Sequence, residues 1–495
     1  MKRPLCFAMA LICMTGIPSA DAQVADVQAL SNGPPPTRSE LESLTRRLQA
    51  MEATNARLQM ALEGRSDLPE TLGITAITQG IPAALAPVAS GPSCSTSRCG
   101  HCGGDSCLCP PETAPCITCP HVSTLSPYFN LRLFGSLNAE LVFADARPII
   151  ASGIVFISPD LGQDTQMAEV HAKSTNLGAA LTGPEINGMQ SGGMFLTYLY
   201  GERFQDDKYG LYIVRMYGEL KNDSLRFAAG INGDVVNPRA PTTVNFNRAN
   251  GAGNFGFMRA QFLVENHSYF SQDRQLTTQV AVSNPVTTAF ANLSLPPFNL
   301  LENSGWPNIE GRVAFGWGEK PKQPNASRPL ELGVSGLVGQ LRRTDTPQNH
   351  IHDVWAFGLD THVALTDEVG FEGEFFTGQA IGNYNAGIFL VDNENFSSVR
   401  STGGWGEIYV NWTPCLHSHF GAGVDDPLDR TLTRDLPTRN ELMFANVIWD
   451  ATQNLEIGFE VSYWKTSYTP DPALGPLSPI DNDAMVYQTR VRLKF

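Results

Sequence analysis

The sequence lacks the features that mark several large protein classes. Beyond its N-terminal segment it has no apolar run of about 18 residues, so membrane-spanning helices are not expected. Its 34 Lys and Arg residues are outnumbered by 49 Asp and Glu residues, which gives a formal net charge of -15. Because polyanion binding needs a basic surface, nucleic acid is not expected as a partner. The hydrolase spacings Gly-x-Ser-x-Gly and His-Glu-x-x-His are also missing, and we predict no enzyme activity, cofactor or metal centre.

Residues 1–22 have the features of a secretory signal peptide. Lys2 and Arg3 supply the charged start, an apolar stretch follows, and the tripeptide Ala-Asp-Ala at 20–22 is a small-residue cleavage site. We therefore expect the mature chain to function outside the cytoplasm.

Residues 23–66 are predicted to form a short periplasmic coiled-coil segment. Ser39 and Glu42 make a capping box at the start of a helix. Apolar positions then recur at alternating spacings of three and four, and one polar residue in the seam would fix the register. The seam consists of Leu41, Leu44, Leu48, Met51, Asn55, Leu58 and Leu62. Its narrowness favours oligomerisation, and an amphipathic helix packed on its own domain is the alternative.

Residues 67–127 form a linker that is first rich in Pro and Ala and then rich in Cys. Two Cys-x-x-Cys pairs have zinc-ribbon spacing, but a secreted chain passes through an oxidising compartment, which favours disulfides. Cys415 lies far away in the sequence and makes the number of cysteines after residue 22 even, so we expect it to pair with the linker or to lie near it. The disulfide candidates are Cys94, Cys99, Cys102, Cys107, Cys109, Cys116, Cys119 and Cys415.

Residues 128–495 repeat an alternating pattern that predicts long strands. In the first of them, Leu133 and Leu137 alternate with Arg132 and Glu140, so one face is apolar and the other polar. A soluble β-sandwich also alternates, but its strands average about five or six residues, and these run to about ten or more. The pattern is typical of a transmembrane β-barrel, in which the apolar face meets lipid and the polar face meets water.

The last strand has the character expected of the strand that closes such a barrel. Phe495, Leu493 and Val491 share one parity, whereas Arg492 and Arg490 share the other. A terminal aromatic residue behind alternating apolar residues resembles the signal by which the barrel-assembly machinery recognises outer-membrane proteins. We therefore expect that machinery and the outer-membrane lipids as partners.

Sixteen strands are predicted, an even number as in bacterial barrels. Their links alternate between long and short, with 183–191 and 203–208 as exceptions. Because the N-terminus is expected in the periplasm, the long links should be external. The predicted strands begin near Phe129, Glu169, Gly192, Tyr209, Ser224, Gly256, Arg274, Asn308, Pro329, Ile351, Glu368, Val399, Leu416, Arg439, Leu455 and Ala484.

Several short motifs resemble those of DcaP-like outer-membrane porins. They are the segments 217–220 and 225–230, Gly253-Asn254, and the segment 423–427. The resemblance implies an all-β membrane protein, an antiparallel barrel of about 16 strands that forms a homotrimer and passes small, often anionic, solutes. The cysteine cluster departs from that family. General porins and phosphate-selective porins have a similar layout and stay as alternatives.

A channel of this kind would work by passive diffusion of small hydrophilic solutes, and its selectivity would come from lumen width and lining charge. The long link 234–255 is the best candidate for a constriction loop, and an ordinary surface loop or a trimer latch is the alternative. Parity with the apolar positions places a set of charged residues in the lumen, each of which could instead be a structural ion pair. The predicted pore-lining or constriction residues are Arg132, Glu140, Arg226, Arg239, Arg248, Arg259, Glu265, Glu310, Arg312, Glu372, Glu374, Arg490 and Arg492, with Glu407 on the same parity.

One expectation concerns the charge of this lining. Arg490 and Arg492 should lie beside Arg132 if the barrel closes, which would make one wall basic and suit anions.

Two other functions compete with a porin: an outer-membrane structural anchor acting through the coiled coil, and a barrel-embedded hydrolase. The hydrolase would use two histidine pairs, His350 with His352 and His417 with His419.

Overall fold

The structure, a computed structural model, describes a defined part of the chain. The described residues are 123–126, 129–160, 166–199, 210–285, 301–303, 305–319, 327–343, 350–393, 395–428, 432, 437–470 and 480–495. The chain divides into two compact units, residues 1–98 and 99–495, and every described residue belongs to the second. The predicted signal peptide, coiled coil and cysteine cluster lie outside the described residues.

Nearly all described residues belong to strands or to the links between them. In the described part, one antiparallel sheet contains nineteen strands. The strands are β1 Ser123–Ser126, β2 Phe129–Ala144, β3 Met167–His171, β4 Asn176–Ile186, β5 Met189–Tyr198, β6 Tyr212–Lys221, β7 Leu225–Gly233, β8 Met258–Ser271, β9 Arg274–Ser283, β10 Leu301–Asn303, β11 Asn308–Trp317, β12 Leu330–Arg343, β13 His350–Ala364, β14 Val369–Gln379, β15 Arg400–Thr413, β16 Leu416–Pro427, β17 Pro437–Asp450, β18 Leu455–Tyr468 and β19 Asn482–Lys494.

The sheet closes into a barrel because β19 pairs with β2, from Val486 opposite Ala144 to Lys494 opposite Ser136. Strands β3 and β4 pair with successive parts of β2, residues 140–144 and 130–136, so together they count as one strand of the wall. The short strands β1 and β10 only add to the edges of β2 and β12. Within the described residues, the wall therefore has sixteen strands, which confirms the predicted barrel. Each predicted strand start lies within three residues of an observed one.

The two faces of the wall differ in polarity. On the outer face, Leu137 and Val491 are 53% and 42% exposed. On the inner face, Glu140 and Arg490 are only 1% and 6% exposed. This reverses the usual rule for soluble proteins, and it suits a barrel whose outer surface meets lipid.

The links separate the barrel into two ends. At the turn end, where β2 begins, most strands join through short turns, such as 187–188 between β4 and β5. The predicted long link at 183–191 is therefore wrong, because these residues continue the two strands up to that turn. The link 318–329 between β11 and β12 is the longer exception at this end. At the opposite, loop end, the link after β2 is L1 (145–166), that after β7 is L3 (234–257) and that after β14 is L6 (380–399).

Apolar residues of the three loops are buried inside the barrel. Phe255 of L3 stacks on Phe376 of the wall, with ring centroids 5.1 Å apart, and also contacts Tyr384 of L6. Ile154 of L1 belongs to a second cluster with Ala252 of L3 and the wall. The core of the protein thus lies between the loops and the inner wall at the loop end.

Candidate pore and constriction

L3 follows the inner wall, held by carboxylates that accept hydrogen bonds from its backbone. Each carboxylate comes from a different strand, β11, β14, β15 or β18, so the loop is held along its length. A carboxylate that accepts backbone N–H groups replaces the water those groups would otherwise need. The bonds run from Val235 N to Glu310 Oε2 at 2.8 Å, Arg239 N to Glu374 Oε1 at 3.0 Å, Thr242 N to Glu407 Oε2 at 2.8 Å, and Val244 N to Glu460 Oε2 at 2.6 Å.

The glycines of two motifs quoted above let L3 lie against the wall. Gly253 has a φ of +112°, and a Cβ at this position would overlap the Gly404 carbonyl of β15. A Cβ on Gly423 of β16 would overlap the Ala252 carbonyl of L3. Only glycine allows the two backbones to approach so closely.

Arg239 extends from L3 into an ion-pair cluster. Its guanidinium lies 2.9 Å from Glu331 and 3.3 Å from Asp360, and Arg312 of β11 binds the same two carboxylates at 2.8 and 2.7 Å. Glu372 joins this side of the lumen, 4.0 Å from Arg239. Arg239 and Arg312 are both nearly buried, so they fix the loop to the wall.

L6 also enters the barrel, which the sequence did not predict. Its Gly387 and Ile388 N–H groups donate to Asp425 of β16 at 3.0 and 2.9 Å. Tyr384 donates to Glu310 at 3.0 Å, and burial holds the pKa of its phenol well above the usual range, so it stays neutral. The segment 423–427 that contains Asp425 was noted in the sequence only for its resemblance to a family motif, and no contact with L6 was predicted for it.

Arg259 joins L3 to L6. The guanidinium binds Asp234 at 2.6 Å, donates to the Asn383 carbonyl at 3.0 Å, and lies 3.6 Å from the ring centroid of Tyr384. Because the side chain is completely buried, Arg259 is a structural link at the base of both loops.

L1 also enters the loop end of the barrel, where it contacts β17 and β18. The amide of Asn440 donates to the Val155 carbonyl of L1 at 2.8 Å and to the Gly251 carbonyl of L3 at 2.7 Å. Thr466 accepts the N–H of Ile157 at 3.0 Å. Wall residues therefore hold L1 and L3 together.

The inner face of β19 carries a group of cations around one carboxylate. Glu456 of β18 binds Arg490 at 3.0 Å, Arg492 at 3.1 Å and Lys494 at 2.7 Å. Lys494 also binds Asp450 of β17 at 3.0 Å. Arg490 is buried under L3, whereas Arg492 and Lys494 are 26% and 38% exposed.

The predicted contact of these cations with Arg132 is wrong. In the register, Arg490 lies opposite Glu140 and Arg492 opposite Asn138, whereas Arg132 lies opposite Ala180 of β4. β19 ends too early to reach Arg132, which is exposed near the turn end.

The remaining predicted residues lie at three other places. Glu140 is buried and binds Ser174 and Gln488. Arg226 lies 2.7 Å from Glu219 and 3.8 Å from Glu265 in the part of the wall formed by β6 to β8. Arg248 of L3 is exposed and forms no ion pair with any carboxylate of the described part of the chain, although its positive charge repels that of Arg492.

Thirteen residues were predicted to line the pore, and they divide into two groups. Glu140, Arg239, Arg259, Glu310, Arg312, Glu374 and Arg490 are buried and hold loops or strands together. Arg132, Arg226, Arg248, Glu265, Glu372 and Arg492 retain exposure to solvent. Only the second group is open to solvent.

His352 contacts residues that a hydrolase could use, but their arrangement suits a structural role. Its Nδ1 lies 3.1 Å from Ser398 Oγ, and its Nε2 lies 3.1 Å from Asp392, which Arg343 also binds at 2.8 Å. In a catalytic triad Nε2 faces the serine, and the histidine must be reachable by substrate. Here His352 is 2% exposed, so the group holds L6 to β12 and β13.

Cys415 lies in the turn between β15 and β16, is half-buried, and has no disulfide partner among the described residues. The other disulfide candidates lie outside the described residues, so its pairing stays a prediction. In the described ranges, no group of three or more His, Cys, Asp and Glu side chains could hold a metal ion. Among those residues no helix is long and apolar enough to cross a membrane.

Comparison of the structure with solved ones identifies the fold. The outer-membrane channel DcaP of Acinetobacter baumannii matches with a TM-score of 0.57 and 13% identity, over 74% of this chain and 98% of that one. The chain has the DcaP fold. The resemblance noted in the sequence is thus confirmed for the architecture.

Two further barrels are similar to a lesser degree. Pseudomonas putida OprB matches with a TM-score of 0.45 and 10% identity over 74% of this chain and 94% of that one. Salmonella typhi OmpF in complex with daunomycin matches with a TM-score of 0.46 and 9% identity over 74% and 98%. No protein-family profile matches the chain. No curated protein matches it in sequence.

Proposed function

We propose that the protein is an outer-membrane porin that lets small hydrophilic solutes diffuse through a water-filled lumen, with the loop end facing the cell exterior. The observation that carries this proposal is the set of backbone hydrogen bonds that holds L3 inside the barrel. A loop held against the inner wall narrows the lumen. The carboxylates that hold L3 there are Glu310, Glu374, Glu407 and Glu460. Selectivity then comes from the charges that stay exposed beside it.

Those exposed charges differ between two sides of the lumen. On β19, the exposed cations Arg492 and Lys494 bind Glu456, Lys494 also binds Asp450, and Arg248 of L3 adds a further positive charge. Around β12 to β14, two arginines face three carboxylates, of which Glu331 and Glu372 are 22% and 24% exposed. In the sixteen-strand wall β12 is seven positions from β19, so the two sides are nearly opposite.

This arrangement favours small anions and dipolar solutes. Opposed charges across a constriction orient a dipole, and the exposed cations of β19 raise the local concentration of anions. The test is single-channel recording in a planar bilayer, with the reversal potential measured in a salt gradient. Steady open-channel current with an anion preference would support the proposal, and clear cation selectivity would contradict the anion preference.

The packing of L1, L3 and L6 favours a second candidate. Buried apolar clusters join the three loops to the wall and fill part of the interior at the loop end. A barrel filled in this way could serve as a structural anchor, with the predicted coiled coil reaching into the periplasm. Purified protein that inserts into a bilayer and stays silent would favour this candidate.

The proposal includes assembly as a homotrimer in the outer membrane. It rests on the narrow apolar seam predicted for residues 41–62. Mass measurement of the detergent-solubilised complex tests it. Deletion of residues 39–62 from the mature chain should reduce the trimer fraction if the seam holds the chains together.

A further inference from the structure

Two histidines of β16 face each other inside the turn-end half of the barrel. His417 and His419 are separated by one residue, so both project from the same face of the strand. This is the inner face, because the next residue, Phe420, is 46% exposed on the outside. The Nδ1 atom of His417 lies 2.9 Å from the Nε2 atom of His419, and the two rings stand at 87° to each other.

The outer nitrogens of both rings point towards carboxylates. His419 Nδ1 lies 3.1 Å from Glu407 Oε1, and His417 Nε2 lies 3.9 Å from Asp450 Oδ2. A carboxylate only accepts, so the neutral His419 ring keeps its proton on Nδ1 and presents a lone pair at Nε2, towards His417. Histidines that bind metal ions have this same arrangement, with the distal N–H donated to a carboxylate.

We propose that His417 and His419 bind one divalent transition-metal ion of the Ni²⁺ and Cu²⁺ type, with its other positions open to water or solute. Imidazole nitrogen is a good ligand for both ions, and Cu²⁺ should bind more tightly than Ni²⁺. Two nitrogens that bind one ion at about 2.05 Å with a right angle between the bonds stand about 2.9 Å apart. The observed separation of the two ring nitrogens, 2.9 Å, is thus that of neighbouring positions on a square-planar or octahedral ion.

The histidine pair is held in place by a buried carboxylate and can be reached from the lumen. The Glu407 side chain is 1% exposed, so the carboxylate that orients His419 is fixed, and its other oxygen holds Thr242 of L3. His417 is 26% exposed, which gives an ion a path from the lumen. Because the described residues bring no third His, Cys, Asp or Glu into a metal-holding group, the site is a two-histidine site with open positions.

The alternative is a plain hydrogen bond from His417 to His419, and calorimetry separates the two. Ni²⁺ is titrated into the purified full-length protein at pH 7.5 after removal of bound metal and alkylation of thiols, which removes cysteine ligands. Wild type should bind one Ni²⁺ per chain. His417→Asn and His419→Gln should each lower the affinity at least tenfold. His350→Gln, which changes a histidine stacked on Phe396 at the loop end, should leave binding unchanged.

Glu407→Gln tests the orienting carboxylate without removing a ligand. Loss of such a partner weakens metal binding by about 10–100-fold. The same one-site binding in wild type and in both histidine variants would overturn the proposal. Absence of Ni²⁺ binding to wild type would overturn it as well, and the ring contact would then be a hydrogen bond only. Heat-modified migration in gels shows that each variant is folded.

Channel recording, taken together with calorimetry, distinguishes a failure of the metal site from a failure of the proposed porin function. Ni²⁺ added at the turn end should lower the conductance of wild type and leave that of His417→Asn unchanged, because a bound cation occupies part of the lumen. A silent wild-type protein would contradict the porin, while calorimetry would still decide the metal site. An open channel whose calorimetry shows no binding would contradict the metal site alone.

Discussion

Arg490 lies opposite Glu140 where β19 pairs with β2, and its guanidinium binds Glu456 on the neighbouring strand at 3.0 Å. The same guanidinium donates to the Val244 carbonyl of L3 at 2.9 Å. One side chain therefore connects the pair of strands that closes the barrel to the loop that enters it. The three cations of the closing strand thus serve two purposes: Arg490 holds structure, and only Arg492 and Lys494 remain exposed.

Glu460→Ala should loosen L3. The carboxylate of Glu460 accepts the N–H of Val244 at 2.6 Å and the amide of Asn446 at 3.2 Å, inside the barrel. A buried N–H left without an acceptor costs about 1–3 kcal/mol. We expect a larger and noisier single-channel conductance than in wild type.

Two controls define what the Glu460 result means. Glu460→Gln keeps an acceptor oxygen and should stay close to wild type. Glu441→Ala removes a partly exposed carboxylate that pairs with Arg439 near the loop end, so it should not alter the conductance. An unchanged conductance in Glu460→Ala would mean that L3 does not set the width of the channel.

The double substitution Arg492→Gln and Lys494→Gln should move the selectivity of the channel towards cations. It removes the two exposed cations of β19 and leaves Glu456 and Asp450 with Arg490 alone. The reversal potential in a salt gradient measures the change. Arg439→Gln, a charge removed near the loop end of β17 where the side chain is 49% exposed, is the control and should shift the potential less. An equal shift in the double variant and in Arg439→Gln would mean that the β19 cations contribute no more to selectivity than Arg439 does.

The barrel itself could be predicted from the sequence because lipid and water impose a period of two on every wall strand. Leu137 and Glu140 reveal their faces by parity alone, whatever the rest of the chain does. The interior could not be predicted in the same way. Glu310 and Glu372 have the same parity and charge, yet one is buried beneath L3 and L6 and the other faces the lumen.

The difference lies in contacts between residues distant in the sequence. Val244 reaches Glu460, 216 residues away, and no local pattern records such a pair. The register at the seam was missed for a similar reason: alternation fixes which face Arg132 and Arg490 occupy, but not how far β19 runs along β2. L3 was chosen by its position after the fifth predicted strand and by its Asn and Gly content. L6 is almost as rich in Asn and Gly, so composition alone did not distinguish a loop that enters the barrel from an external one.

Leu359→Arg should destabilise the barrel, whereas Leu365→Arg should be nearly neutral. Leu359 is 43% exposed on the outer face in the middle of β13, and Leu365 lies just after the same strand at the turn end. A charge facing lipid at the membrane centre costs about 2–4 kcal/mol, and near the interface about 0–1 kcal/mol. The free energy of unfolding, from denaturant titration in lipid vesicles, measures both. Equal effects at the two positions would contradict the assignment of the outer face to lipid.

Cys415 should be oxidised in the mature protein. It lies in a turn at the end of the barrel where the chain enters β2, and the linker preceding β2 contains seven further cysteines. Since the chain is expected to pass through an oxidising compartment, an even set of eight thiols should pair fully. Peptide mapping by mass spectrometry without reduction should find Cys415 joined to a cysteine between Cys94 and Cys119. Cys415→Ser should then release one free thiol in the linker, detectable with a maleimide reagent. A reactive Cys415 in the native protein would show instead that the linker pairs within itself and leaves one of its own seven thiols over.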